Sequence, residues 1–281
     1  MIKKSIITFS VLFCIHLLFV YFNLGVGKAT HQWQDNVIKA QKFFYDDYTD
    51  TVIIGTSLSA RIDGDSIPTI KSLAFSGCSV EDGLIIILAK ERKPHYVLVE
   101  TNLFFKKGNP QLFSNQTDYL LYKIKEFIPS LREQYQPVCL LSYALNKIRE
   151  NDLKGKGEIK NVDIPLLNKY LERRQREECD TLNNEIISDR LCILKSYINI
   201  LERQGVKFIF YEIPINKKLY DANSFSQTRV IVKEEFPDGK YKYLPSDTTS
   251  YLTTDGIHLD DRGARVYSHF FKGLLSQTDL K

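Results

Sequence analysis

From about Ile6 to Leu24 the chain carries no Asp, Glu, Lys or Arg. A helix needs about 20 largely apolar residues to cross a bilayer, so residues 1–28 are read as a cytoplasmic tip and a transmembrane signal anchor. Residues 29–50 mix aromatic and charged positions and read as a juxtamembrane linker or helix. From Thr51 the period changes. Four short runs, "TVIIGTS", "KSLAFSG", "YVLVETN" and "VKFIFYEIP", are apolar without alternation and end in turn residues. Continuous apolar runs of this length predict strands buried on both faces of a parallel sheet. "KYKYLP" predicts a short fifth strand.

Helical patterns separate most of these runs. Val80–Lys93 starts acidic and ends basic, which complements the helix dipole. Thr181–Gly205 ends on a glycine suited to a C-cap, and Ser224–Pro237 also reads as helical. The final segment places Ala264, Tyr267, Phe271 and Leu274 on one face, with Asp260 or Asp261 as N-cap. Repeated β–α units imply an α/β domain with a mostly parallel sheet, over residues 51–281. Between the third and fourth strands lies a long insertion, about 103–180, read as a helical cap. Its helix-like pieces are Asp118–Tyr135 and Pro137–Asn151, followed by the flexible "DLKGKGEIKN". No internal repeat is present.

Composition narrows the class. Hydrophobic residues make up 43% and charged residues 26%, which is globular and not disordered. The net charge of +4 is small, and acids and bases are interleaved, so no basic face argues for nucleic acid. Lys3 and Lys4 before the apolar run set a cytoplasmic N-terminus and an extracytoplasmic remainder. Val26-Gly27-Lys28-Ala29 is a poor cleavage site, which favours a retained anchor. Phe13 before Cys14 weighs against a lipoprotein. The other cysteines, Cys78, Cys139, Cys179 and Cys192, form no C-x-x-C and no zinc cluster; their pairing stays open. Neither a metal nor a cofactor is expected.

Open parallel sheets bind ligands beyond the C-terminal ends of their strands. Those positions carry Ser57, Gly77, Asn102 and Glu212, and near the C-terminus "TTDGIHLDDRG" adds Asp255 and His258 in a D-x-x-H turn. A serine hydroxyl becomes nucleophilic when a base takes its proton. His258 is suited to that near neutral pH, and Asp255 to orienting its ring. The N–H groups of Ser57 and Gly77 and the amide of Asn102 are candidate oxyanion donors. Singly, each residue has a blander reading: Ser57 as a helix-capping serine, Asn102 as a turn residue, His258 as a surface histidine. Ser59 reads as packing or capping and Cys78 as a buried thiol, while His31, His95 and His269 lack an acid at D-x-x-H spacing.

In this order the blocks resemble the SGNH/GDSL hydrolase superfamily. Gly55-Thr56-Ser57 stands where G-D-S is usual, Gly77 follows a short strand, Glu100-Thr101-Asn102-Leu103 stands where G-x-N-D is usual, and Asp255-Gly256-Ile257-His258 supplies D-x-x-H. The resemblance spans about Thr51 to Leu274. It implies a three-layer α/β/α, flavodoxin-like fold with a mostly parallel five-stranded sheet. The departures at Thr56 and Leu103 resemble divergent, membrane-anchored members that act on cell-envelope polymers. Ser57, Asp255 and His258 are then the expected catalytic residues, Ser57, Gly77 and Asn102 the oxyanion hole, and Thr56 and Glu212 candidate substrate contacts. The expected activity is O-acyl (acetyl) transfer to, or removal from, an envelope polysaccharide. A multi-pass membrane acyltransferase is the expected partner for transfer. The alternative is a non-catalytic module that binds glycan or assists such an acyltransferase.

Overall fold

The computed structural model describes residues 2–23, 31–62, 67, 69–109, 113–114, 118–139, 141–142, 145, 148, 163–247 and 249–278. The cleavage-site tetrapeptide and the "DLKGKGEIKN" stretch lie outside the described residues. The chain divides into two compact units: residues 1–46 with 111–157, and residues 47–110 with 158–281.

The second unit is built on a five-stranded, all-parallel sheet. Its strands are β1 (Thr51–Gly55), β2 (Ile70–Ala74), β3 (Tyr96–Glu100), β4 (Lys207–Tyr211) and β5 (Lys242–Tyr243), in the order β2-β1-β3-β4-β5. All five predicted strands are present. β1 and β3 are buried along their whole length, which is why neither shows polar alternation. Side chains of successive residues serve opposite faces. On one face Ile53, Leu98, Ile209 and Tyr211 share a core with Tyr267, Phe271 and Leu275. These last three belong to the C-terminal helix Asp261–Gln277, whose N-cap Asp260 accepts from the Gly263 N–H at 2.7 Å. Phe271 is fully buried, its ring 5.0 Å from that of Tyr211. Leu275 is buried in this helix, with the expected Leu274 only partly covered. On the other face, helix Val80–Ala89 packs on β1 and β2 and against helix Asn184–Arg203. Helices Ile164–Glu177, Lys217–Tyr220 and Asn223–Glu235 complete the unit.

The strand order reverses direction between β1 and β3, and the crevice beyond their C-terminal ends is where such sheets place ligands. The turns carrying Ser57 and Asn102 both leave the sheet there.

The first unit contains helix α1 (Ile2–Tyr21), with mean hydropathy 1.9 and none of its span buried. It is long and apolar enough to cross a membrane. Helix α2 (Gln32–Tyr45) starts with the His31 Nδ1 atom accepting from the Gln34 N–H at 3.2 Å. Beyond it come helix Tyr119–Phe127 and two 3-10 turns, Pro129–Leu131 and Glu133–Tyr135. The expected continuous helix over Asp118–Tyr135 is thus broken, because Pro129 has no N–H to continue it. A polar seam specifies how α2 meets the second turn. Gln34 Nε2 donates to Glu133 Oε1 at 3.1 Å, and the Glu133 N–H donates to Gln41 Oε1 at 2.7 Å. Paired this way, the seam's amides avoid the cost of burying unbonded polar groups.

Candidate active site

Ser57 lies two residues past β1, where the chain tightens into the 3-10 turn Ser59–Arg61. What shapes this turn is Glu100, the last residue of β3, which is 0% exposed. Its carboxylate accepts from the Thr56 N–H (2.8 Å), the Thr56 hydroxyl (2.7 Å), the Ser59 N–H (3.1 Å) and the Ser59 hydroxyl (2.5 Å). Ser59 Oγ in turn accepts from the Tyr211 hydroxyl at 2.6 Å. Burial, reinforced by the charge of Glu100, pushes the Tyr211 phenol well above its usual range, so it remains a donor. Among the described residues Glu100 has no basic partner; neutral donors alone compensate it. Gly55 is required here, since a Cβ would sit 2.5 Å from Glu100 Oε2.

This packing leaves the Ser57 side chain directed outward, half-buried. Its Oγ is 2.8 Å from His258 Nε2, and His258 Nδ1 is 2.9 Å from Asp255 Oδ2. The histidine turn is equally constrained. Asp255 Oδ1 accepts from the N–H groups of Ile257 (3.2 Å) and His258 (2.9 Å), and the Thr254 N–H donates to the His258 carbonyl at 2.8 Å. Gly256 takes φ +98°, a left-handed conformation suited to glycine. The Asn216 N–H holds the Gly256 carbonyl at 2.9 Å, and the Arg61 guanidinium donates to the Leu259 carbonyl. Arg61 thereby ties the serine turn to the histidine turn.

Burial alone would raise the Asp255 pKa, but its bonds from the His258 ring and backbone outweigh burial and hold the carboxyl well below its ordinary value. It remains a carboxylate against the imidazole. The Arg174 guanidinium lies 3.7 Å from Asp255 Oδ2 and 3.6 Å from Glu178 Oε1.

The remaining expected residues are distributed as follows. Gly77 is exposed, with φ +80°, and its carbonyl accepts from Lys106 Nζ at 3.0 Å. Asn102 is 4% exposed, and both ends of its amide serve the backbone of Ile213. Nδ2 donates to the Ile213 carbonyl (2.8 Å) and Oδ1 accepts from the Ile213 N–H (2.7 Å). It staples the end of β3 to the segment after β4 and retains one amide hydrogen for another acceptor. Thr56, expected as a candidate substrate contact, is fully buried with its hydroxyl given to Glu100. Glu212 pairs with Arg229 Nε at 2.8 Å. It borders a cavity of about 410 Å³ whose lining includes Ile213, Pro214 and Ile215. A second cavity, about 260 Å³, reaches Asn102 and is lined by Leu103, Phe105, Ile187 and Phe225.

Burial pushes the Cys78 thiol up to about 12, with Asp82 adding to the rise, which makes it a poor nucleophile. All five cysteines are free thiols. Among the described residues no three His, Cys, Asp or Glu side chains converge as metal ligands.

Sequence reasoning noted Glu100 only as a departure from G-x-N-D and assigned it no role. The available signal was a carboxylate closing an otherwise apolar buried strand. Arg174 carried no such signal, standing in the charge-dense stretch "LERRQRE". Comparison with protein-family models and with curated proteins found no match.

Proposed function

We propose that this chain is a membrane-anchored serine acyl-transfer enzyme of the SGNH type, acting outside the cytoplasm on an envelope polysaccharide. The observation that carries the reading is the continuous chain from Ser57 Oγ through His258 to Asp255, with links of 2.8 and 2.9 Å. The strand order and the placement of all four motif blocks support the SGNH assignment. The apolar helix α1 and the lysines in its first turn support the anchor and its direction.

The mechanism follows from the site. With the ring proton on Nδ1 facing Asp255, Nε2 presents a lone pair to the Ser57 hydroxyl. Ser57 Oγ adds to the carbonyl carbon of a donor ester as Nε2 takes the hydroxyl proton. Among the described residues the Ser57 and Gly77 N–H groups have no acceptor, and they are the donors for the resulting oxyanion. Each such donor contributes roughly 10²–10³ in rate. The second Asn102 amide hydrogen is a third. Collapse releases the donor's alcohol, which takes the proton back from His258, and leaves acyl-Ser57. An acceptor hydroxyl then gives its proton to Nε2 and attacks the acyl carbon. The ester passes to the acceptor, and Ser57 regains its hydrogen.

A sugar hydroxyl as acceptor gives transfer, and water gives hydrolysis. Acetyl is the proposed group and a multi-pass membrane acyltransferase the proposed donor, since acyl-CoA is confined to the cytoplasm. The test is the ester content of the envelope polymer in cells carrying Ser57→Ala. Transfer predicts loss of the esters, whereas their accumulation would establish hydrolysis instead. Unchanged esters would leave the non-catalytic alternative standing.

A further inference from the structure

The first unit leaves two apolar helical stripes uncovered. On helix Tyr119–Phe127, Leu120, Ile124 and Phe127 recur at i, i+4 and i+7 and so share one face. They are 67%, 37% and 81% exposed, and Ile128 and Leu131 extend the surface. The opposite side of this helix is already occupied. Tyr122 stacks on Tyr45 of α2 at 5.3 Å and meets Phe44 edge-on at 5.8 Å. The second stripe is Val138, Leu141, Leu145 and Ile148, again at helical spacing and all exposed. A soluble surface does not ordinarily gather this much apolar area; such a face has an apolar partner.

The fold indicates which one. The 3-10 turn Pro129–Leu131, directly after the first stripe, packs on α1. The Tyr135 hydroxyl donates to Asn23 Oδ1 at 2.6 Å, just beyond the end of α1. A spanning helix leaves the hydrocarbon where its apolar run ends, so Asn23 marks the lipid–water boundary. Tyr21 and Phe22 beside it are the aromatic residues favoured at that depth. Lys123, Lys125 and Arg132 flank the first stripe, as in helices that lie in the interface plane.

We infer that the described part of residues 118–148 is an interfacial membrane element. It lies in the outer leaflet beside the exit of α1, with Leu120, Ile124 and Phe127 among the acyl chains. The inference rests on the proposed spanning role of α1, and not on the serine chemistry.

The chain has a single tryptophan, Trp33, which makes a depth measurement direct. In a Trp33→Phe background, Phe127→Trp and, separately, Phe13→Trp are reconstituted full-length into phosphatidylethanolamine/phosphatidylglycerol vesicles. Some vesicles also contain phosphatidylcholine brominated near the headgroup end, others near the methyl end, of its chains. Phe13→Trp, within α1, reports the anchor and is quenched if α1 spans. Phe127→Trp is expected to emit at blue-shifted wavelength and to be quenched more by the shallow bromines than by the deep ones. Water-like, unquenched emission at 127 alongside a quenched 13 would overturn the inference, and would point to a protein partner for this face. Loss of quenching at position 13 would overturn the spanning role and the inference with it.

Discussion

Glu100 shapes the candidate site without touching Ser57, His258 or Asp255. Its carboxylate accepts four hydrogen bonds from Thr56 and Ser59, the residues on either side of Ser57 and Leu58. Glu100→Gln keeps the volume but turns an amide nitrogen toward donors. A buried donor left unpaired costs about 1–3 kcal/mol, so urea denaturation is expected to show a loss of that order. Acyl transfer should fall with it, as the Ser57 turn loosens. Unaltered stability would mean the carboxylate is not needed to hold the turn. Asp255 makes a prediction of a different kind. Its folded pKa lies below the unfolded value of about 3.9, so over that range the unfolded chain binds more protons. The resulting stability is fully present above about pH 5, and is lost as pH falls through the unfolded pKa toward the folded one. The stability difference between the wild type and Asp255→Asn should therefore shrink on acidification below pH 5. A difference independent of pH would contradict the bonding of Asp255 to His258. The geometry at this scale was legible where it is local: D-x-x-H folds into its own turn, and Ser57 sits at a strand mouth. The role of Glu100 was not, because its donors lie 44 and 41 residues away along the chain, brought near only by the pairing of β1 with β3.

At the scale of elements, the continuous apolar runs read correctly as strands because β1 and β3 are buried on both faces and β2 and β4 over most of their length. The C-terminal helix also read correctly in position, with a one-residue shift at its end from Leu274 to Leu275. That shift costs the pattern nothing, since both lie near the same face. The insertion was harder. Helix Tyr119–Phe127 stops before Pro129, and the second of the two 3-10 turns that follow buries the polar side chains of Glu133 and Gln134, which a hydrophobic pattern does not anticipate. Helix Ile164–Glu177 buries only Leu167 and Leu171, so it is amphipathic by a narrow stripe. The helix that brings the histidine turn against the sheet depends most on Phe271. Phe271→Ala should cost about 3–5 kcal/mol, read from the denaturation midpoint. A cost below about 1 kcal/mol would show that the helix contributes little to the core.

For the whole molecule, a helix long and apolar enough to cross a membrane was legible from length and composition alone, whereas the division into two units was not. Residues 111–157 fall within the stretch, about 103–180, that was read as a helical cap of the sheet domain. The contacts they make with residues 1–46 include Tyr135 with Asn23, a pair 112 residues apart. The proposed function turns on one covalent event, acylation of Ser57. The direct measurement is intact-protein and peptide mass spectrometry of the full chain after brief exposure to an activated aryl acetate. The wild type should gain the mass of one acetyl group on the peptide containing Ser57, Ser57→Ala should gain none, and His258→Ala should acylate far more slowly. An acetyl group found only on an exposed thiol such as Cys179, unchanged by Ser57→Ala, would contradict the assignment of Ser57 as the nucleophile.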